Sequence, residues 1–286
     1  MSAAPYLLHQ PEIRRSCAVF ASPHSGLEYP ASFMGRTVLD QLTIRSSEDA
    51  FVDRLFDCVT VFGAPLLAAT VPRAYVDLNR SPDELDPALI EGVRRHGHNP
   101  RIASGLGVIP RVVSNGRAIY SGKLSRIEAD TRIQRYWHPY HAALKRLLEQ
   151  AQRDFGQAIL VDCHSMPHEA LDGVARNAAQ RPDIVLGDRF GAAAGGEIVD
   201  EIEAAFASAG LNVTRNAPFA GAYTAQAYGR PSRRQHAVQV EIDRSLYMDE
   251  ARIEPNANFN AFRELMRGVA ARIADIRAQD LPLAAE

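Results

Sequence analysis

The sequence predicts an α/β fold with a largely parallel sheet, and three observations carry that prediction. Short apolar runs of strand length alternate along the 286 residues with longer stretches of helical periodicity. Two of those runs close in histidine followed by small turn residues, and open α/β sheets place ligand sites beyond the carboxyl ends of their strands. The composition, 46% hydrophobic and 23% charged, is that of a globular chain with a sizeable core.

In chain order, strands are expected at 17–22, 65–69, 74–78, 158–162, 184–186 and 237–242. Phe51, Leu55 and Val59 recur at four-residue steps and mark a first helix. A second begins near Pro139, where proline in a first turn forfeits no hydrogen bond, and carries Tyr140, Ala143, Leu144, Leu147 and Leu148. The clearest stripe comes last, through Phe259, Phe262, Leu265, Met266, Val269, Ile273 and Ile276. Between 81 and 120, periodicity gives way to Pro, Gly, Asn and Arg, and so long an irregular span points to a functional loop or lid. With no internal repeat and no low-complexity linker, the chain is read as one domain over 1–286, with 280–286 a frayed tail.

Lys plus Arg is 32 and Asp plus Glu is 34, so the basic excess of a nucleic-acid binder is absent. Lysine occurs only at Lys123 and Lys145, so nearly all positive charge is arginine, whose planar fork suits a carboxylate substrate. Cys17, Cys58 and Cys163 form no CxxC pattern and fit a reducing compartment. No run reaches the roughly 18 apolar residues of a membrane span, and the first residues lack the uninterrupted apolar stretch of a signal peptide. These features together predict a cytoplasmic protein with no membrane partner.

The chemistry concentrates at the strand ends. The run from Cys17 closes in Pro-His24-Ser-Gly, and the run from Ala158 closes in Asp-Cys-His164-Ser. Neutral imidazole is the commonest zinc ligand, and a catalytic zinc typically takes three protein ligands, so the pair points to a metal site. A carboxylate should complete it, with Asp49 favoured and Glu48 second, although either also suits a helix's first turn without any metal. Glu241 breaks an otherwise apolar strand, on the face opposite Val238, Val240 and Ile242. A carboxylate there needs a cation or a function, and a general base beside the metal is the functional reading. Asn79 and Arg80 end the stretch Pro72–Arg80 and suit a substrate carboxylate. Tyr223, Arg111 and Arg230 are weaker candidates on loops, and His96 with His98 reads as a solvated pair. Ser25 and Ser165 sit in no GxSxG elbow, which argues against a serine hydrolase.

Taken together, SPHSGLEYP (22–30), SEDAFVD (47–53), PRAYVDLNR (72–80), GVIPR (107–111), YHAAL (140–144), VDCHSMP (161–167), IVLGDRFG (184–191) and EIDRSLYMDE (241–250) resemble the N-formylglutamate amidohydrolase family. The resemblance covers nearly the whole chain, in the branch carrying PHSG and SED, with Gly221-Ala222 standing where paired glycines are expected. It implies a three-layer α/β/α fold with a mixed, mostly parallel sheet, phosphorylase/hydrolase-like and related to zinc exopeptidases. It also implies zinc on His24, Asp49 or Glu48, and His164, with Glu241 as base and Asn79 with Arg80 on a substrate carboxylate. Arg73, Arg111 or Arg230 would serve a second carboxylate or the developing oxyanion. The exopeptidase motif has a glutamate three residues after its first histidine; this chain has Leu27 there, so its carboxylate ligand lies elsewhere. The implied reaction is hydrolysis of N-formyl-L-glutamate, a small acidic amino-acid derivative, in the context of histidine degradation. Another N-acyl amino acid as substrate, or a non-catalytic domain binding an acidic ligand, are the alternatives.

Overall fold

The computed structural model describes residues 4–94, 99–113, 116–173 and 181–277. His96, His98 and the 280–286 tail lie outside them. Seven strands, β1 (Tyr6–His9), β2 (Ala18–Ser22), β3 (Leu66–Ala69), β4 (Ala158–Met166), β5 (Ile184–Gly187), β6 (Val213–Arg215) and β7 (Gln235–Asp243), form one mixed sheet. Its order is β1-β3-β2-β4-β7-β5-β6. β3, β2, β4 and β7 are mutually parallel, β1 is antiparallel to β3, and β5 with β6 runs opposite to β7.

Helices cover both faces. On one, Phe20, Val161, Cys163, Val238, Val240 and Ile242 pack with the helices Gly196–Ala207 and Phe259–Ala274. On the other, Val19, Ala21, Leu67 and Leu160 pack against the helix His138–Phe155. That helix begins with Pro139 in its first turn, as expected, and ends at Gly156, which takes a left-handed conformation open to glycine at little cost. It continues from Arg126–Arg132 through a turn of π-helix at Ile133–Trp137.

Strand alternation places the site. Along β4, Ala158 and Leu160 join the second core, and the same face then turns polar at Asp162 and His164. Along β7, Ala237 is followed on that face by Gln239 and Glu241, and the register sets Glu241 beside His164 and Gln239 beside Asp162. The opposite face stays apolar through Ile159, Val161 and Cys163 in β4 and Val238, Val240 and Ile242 in β7. One sheet face therefore changes from core to site partway along two adjacent strands.

Residues 74–78 do not form the expected strand. Tyr75 N donates to Pro72 O and Asp77 N to Val108 O, so the segment turns while burying Val76 and Leu78. Its apolar character reflects burial without sheet pairing. The short edge strands β1 and β6 and the helix Gly196–Ala207 carry weaker sequence signals. In that helix Ile198, Val199, Ile202 and Phe206 are buried, while acidic residues occupy other positions. The irregular span between 81 and 120 includes, among its described residues, the short helix Pro100–Ala103 and is anchored through Leu89, Ile90, Val108, Ile109 and Ile119 in the second core. Among the described residues, no helix is long and apolar enough to cross a membrane.

Candidate functional site

His24 lies two residues beyond β2, where the chain turns tightly. A Cβ on Gly26 would come within 2.2 Å of Val71 O, so this approach demands glycine. Asp49 N donates to His24 O at 3.1 Å, which ties the segment before the helix Val52–Leu55 to the same corner. His164 arrives from β4.

The three side chains converge. His24 Nδ1 and His164 Nδ1 are 3.1 Å apart, and Asp49 Oδ2 is 3.2 Å from the first and 2.9 Å from the second. The far nitrogens face carboxylates: His24 Nε2 is 2.7 Å from Asp77 Oδ1, and His164 Nε2 is 3.0 Å from Asp162 Oδ2. A neutral imidazole that donates from Nε2 presents a lone pair at Nδ1, and carboxylates behind histidines commonly fix that tautomer in metal sites. Two nitrogen lone pairs and a carboxylate oxygen then face one another in a buried space, which repels unless positive charge lies between them. The spacing is close to the edge, about 3.3 Å, of a tetrahedron with zinc–ligand bonds of about 2.0–2.1 Å. The donor set thus fits a divalent metal, and His24, Asp49 and His164 can hold one.

Electrostatics give the same picture. Burial alone would raise the Asp49 carboxyl, but hydrogen bonds and charge from His164 and His24 hold it well below the usual range. Burial likewise opposes ionisation of Asp77, and Arg73, His24 and Arg80 outweigh it. Burial lowers the His164 pKa, yet Asp162 and Asp49 drive it well above the usual value. The cluster requires positive charge at its centre, from protons or from a metal.

Glu241 stands beside this cluster and is 8% exposed. It lies on an interior strand, and Gln239 Nε2 donates to its Oε1 at 2.7 Å. Burial pushes its pKa up to about 7, with Asp49 adding to the rise and His164, Arg73 and Arg244 working against it.

These groups open into a cavity of about 600 Å³ lined by His24, Asp49, His164, Glu241 and four arginines, Arg73, Arg80, Arg101 and Arg244. Arg73 Nε donates to Asp77 Oδ2 at 2.9 Å, and its charge acts on Asp49 and Glu241. Arg80 gives Nε to Leu106 O and Nη1 to Asn79 O, at 3.0 and 2.9 Å, and lies in the cavity wall.

Several residues named from sequence fall elsewhere. Glu48 is not among the converging donors, because its carboxylate is taken by Tyr29 Oη at 2.6 Å and by Arg45 Nε and Nη2 at 3.0 Å. Asn79, by contrast, does line the cavity: its Nδ2 donates to Asp162 Oδ2 at 3.2 Å and lies 3.0 Å from His164 Nε2, while Oδ1 accepts from Thr224 N. Arg111 does not line the cavity, since its Nε is held by Asp86 Oδ2 at 2.8 Å. Arg230 is turned to the backbone oxygens of Gln226 and Gly229. Tyr223 packs its ring against Trp137 and His141 and is not part of the lining, although Gly221 and Ala222 are.

Other site residues went unassigned in the sequence. Arg244 donates Nη2 to Asp49 Oδ1 at 3.0 Å and Nε to Ser165 Oγ at 3.1 Å, leaving Oδ2 as the oxygen that faces the histidines. Asp162 carries the same signal as Glu241, a carboxylate inside an apolar strand, two positions before His164. Asp77 comes from a turn and Arg101 from the four-residue helix Pro100–Ala103, both too short for periodicity to separate an inward side chain from an outward one.

A family model for N-formylglutamate amidohydrolase matches residues 16–248. Curated relatives named N-formylglutamate deformylase come from Pseudomonas putida, 29% identical over 239 residues, and Pseudomonas aeruginosa, 30% identical over 241 residues; each alignment covers 81% of this chain and 82% of the relative. A crystal structure of N-formylglutamate amidohydrolase from Ralstonia eutropha JMP134 is 37% identical, with a TM-score of 0.88, covering 96% of this chain and 98% of that one. The gene product Atu2144 of Agrobacterium tumefaciens shares the fold at 16% identity, with a TM-score of 0.62 over 92% of this chain and 94% of its own. The chain belongs to the N-formylglutamate amidohydrolase family.

Proposed function

We propose that this protein hydrolyses the formamide bond of N-formyl-L-glutamate to formate and L-glutamate, using one zinc ion held by His24, Asp49 and His164. The observation that carries this reading is the convergence of those three donors beside a buried carboxylate whose pKa is raised, at one end of an arginine-lined cavity. The names of its relatives supply the substrate class. A divalent ion bound there supplies Lewis acidity, activating water and polarising a carbonyl oxygen.

The chain's own groups supply the rest. Water adds its oxygen to the formyl carbon while Glu241 accepts the proton; the carbon–nitrogen bond then breaks as Glu241 returns that proton to the departing amine. A base with a pKa of about 7 is poised for both transfers, and such a group contributes about 10²–10⁴ in rate. Asp77 and Asp162 hold the imidazole rings in register, and Arg244 orients Asp49. Burial would lower the Arg73 pKa, but Asp77, Asp49 and Glu241 raise it, so Arg73 stays cationic where negative charge develops on the formyl oxygen. Arg80 holds one carboxylate of the substrate. The three free cysteines suit a reducing, cytoplasmic setting.

Incubating the purified protein with N-formyl-L-glutamate and with N-acetyl-L-aspartate, while following formate, acetate and free amine, tests the assignment. Equal yields of formate and glutamate are expected, with far slower turnover of the acetyl compound. Binding without turnover of either compound would instead identify a non-catalytic acidic-ligand domain.

A further inference from the structure

The four arginines of the cavity are not equally occupied. Arg73 is paired with Asp77, Arg80 with two backbone oxygens, and Arg244 with Asp49 and Ser165. Arg101 differs: among the described residues, no acceptor meets its guanidinium. Its backbone is nevertheless fixed, since Asn99 Oδ1 accepts from Arg101 N at 2.9 Å and Ser104 Oγ donates to Arg101 O at 3.0 Å. An anchored backbone carrying an unclaimed, always-charged fork into a cavity is an arrangement for an external anion.

Its surroundings define the anion further. Leu106, Val112 and Val113 line the same cavity as Arg101, and Arg80 lies close enough that Arg101 helps burial lower its pKa. Two like charges brought this near each other repel, and a ligand with two carboxylates relieves both at once. Apolar side chains in the same wall suit a short methylene tether between such carboxylates.

We propose that Arg101 binds the side-chain carboxylate of the substrate and thereby sets the preference for acidic over neutral N-formyl amino acids. This rests on the reading of the protein as a deformylase and adds the residue that selects the side chain. N-formyl-L-glutamine, which replaces only that carboxylate by an amide, is the discriminating substrate.

Kinetics of Arg101→Met and Arg101→Lys with both substrates test the proposal. Arg101→Met should lower kcat/KM for N-formyl-L-glutamate by about 10–100-fold, mostly through KM, the usual loss for a hydrogen bond to a charged group. The same variant should leave N-formyl-L-glutamine within about twofold of the unsubstituted enzyme, and Arg101→Lys should restore part of the loss. Equal loss on both substrates, or loss on neither, overturns the proposal. If the unsubstituted protein releases formate from neither compound, the deformylase reading fails separately. Calorimetric binding of L-glutamate and L-glutamine then still reads Arg101: selectivity abolished in Arg101→Met supports the assignment, and selectivity retained overturns it.

Discussion

Glu241 occupies a position where folding and chemistry conflict. A carboxyl whose pKa is raised from 4.5 to about 7 binds its proton more tightly in the native state than in the unfolded chain. In the metal-free protein its contribution to stability therefore falls as pH rises from about 4.5 to 7 and stays low above that. Glu241→Gln removes this cost, so the metal-free variant should be the more stable, by up to about 3 kcal/mol above pH 7, with the gap closing toward pH 5. Denaturant melts in chelator at the two pH values measure it. The same substitution should lower formate release by about 10²–10⁴-fold while metal content stays unchanged; loss of metal would make Glu241 a ligand. Behind the histidines, Asp77→Asn should weaken metal affinity by about 10–100-fold, read by competition with a chromogenic chelator.

At this scale the sequence was informative wherever a polar residue interrupted a buried strand. Glu241 stood out because the alternation around it predicted an apolar side chain, Asp162 was legible by the same rule, and His164 stood out because an apolar run closed in it. Arg111 and Arg230 could not be separated from Arg73, and Arg101 was not singled out, because in loops and very short helices nothing in the sequence says which arginine meets an internal acceptor. Asp86 and the backbone oxygens near Gln226 made that choice in the folded chain.

Among the elements, β4 and β7 do the positioning, since adjacent parallel strands with His164 and Glu241 in register fix the proposed metal ligand and proposed base on one face. The helix Phe259–Ala274 supports them from the opposite face through Phe259, Phe262, Met266, Val269 and Ile273. Met266→Ala should cost about 2–5 kcal/mol in chemical denaturation, with kcat of the folded fraction nearly unchanged, because that core face is separated from the site by the sheet. The terminal helix was readable because its apolar residues recur at three and four. The segment 74–78 misled because an apolar run buried in a turn resembles a strand, and β1 and β6 were missed because short, half-exposed edges bury too little to leave a pattern.

Across the whole molecule, residues from widely separated points in the chain meet at one corner of the sheet: His24, Asp49, Asp77, Asp162, His164, Glu241 and Arg244. Metal binding to that corner should couple to global stability, because the unfolded chain scatters the ligands. Zinc at about a thousand times its dissociation constant should stabilise the fold by about 4 kcal/mol, seen as a zinc-dependent rise in Tm. The α/β class followed from the alternation of runs, whereas the sheet's mixed character followed only from the family resemblance, because the direction of β5 and β6 depends on crossovers that composition does not record.

The most direct test is to measure metal content and formate release from N-formyl-L-glutamate on one preparation, before and after chelation. About one zinc per chain, turnover lost with the chelator and recovered on adding zinc is the expected result; undiminished formate release from metal-stripped protein would contradict the account.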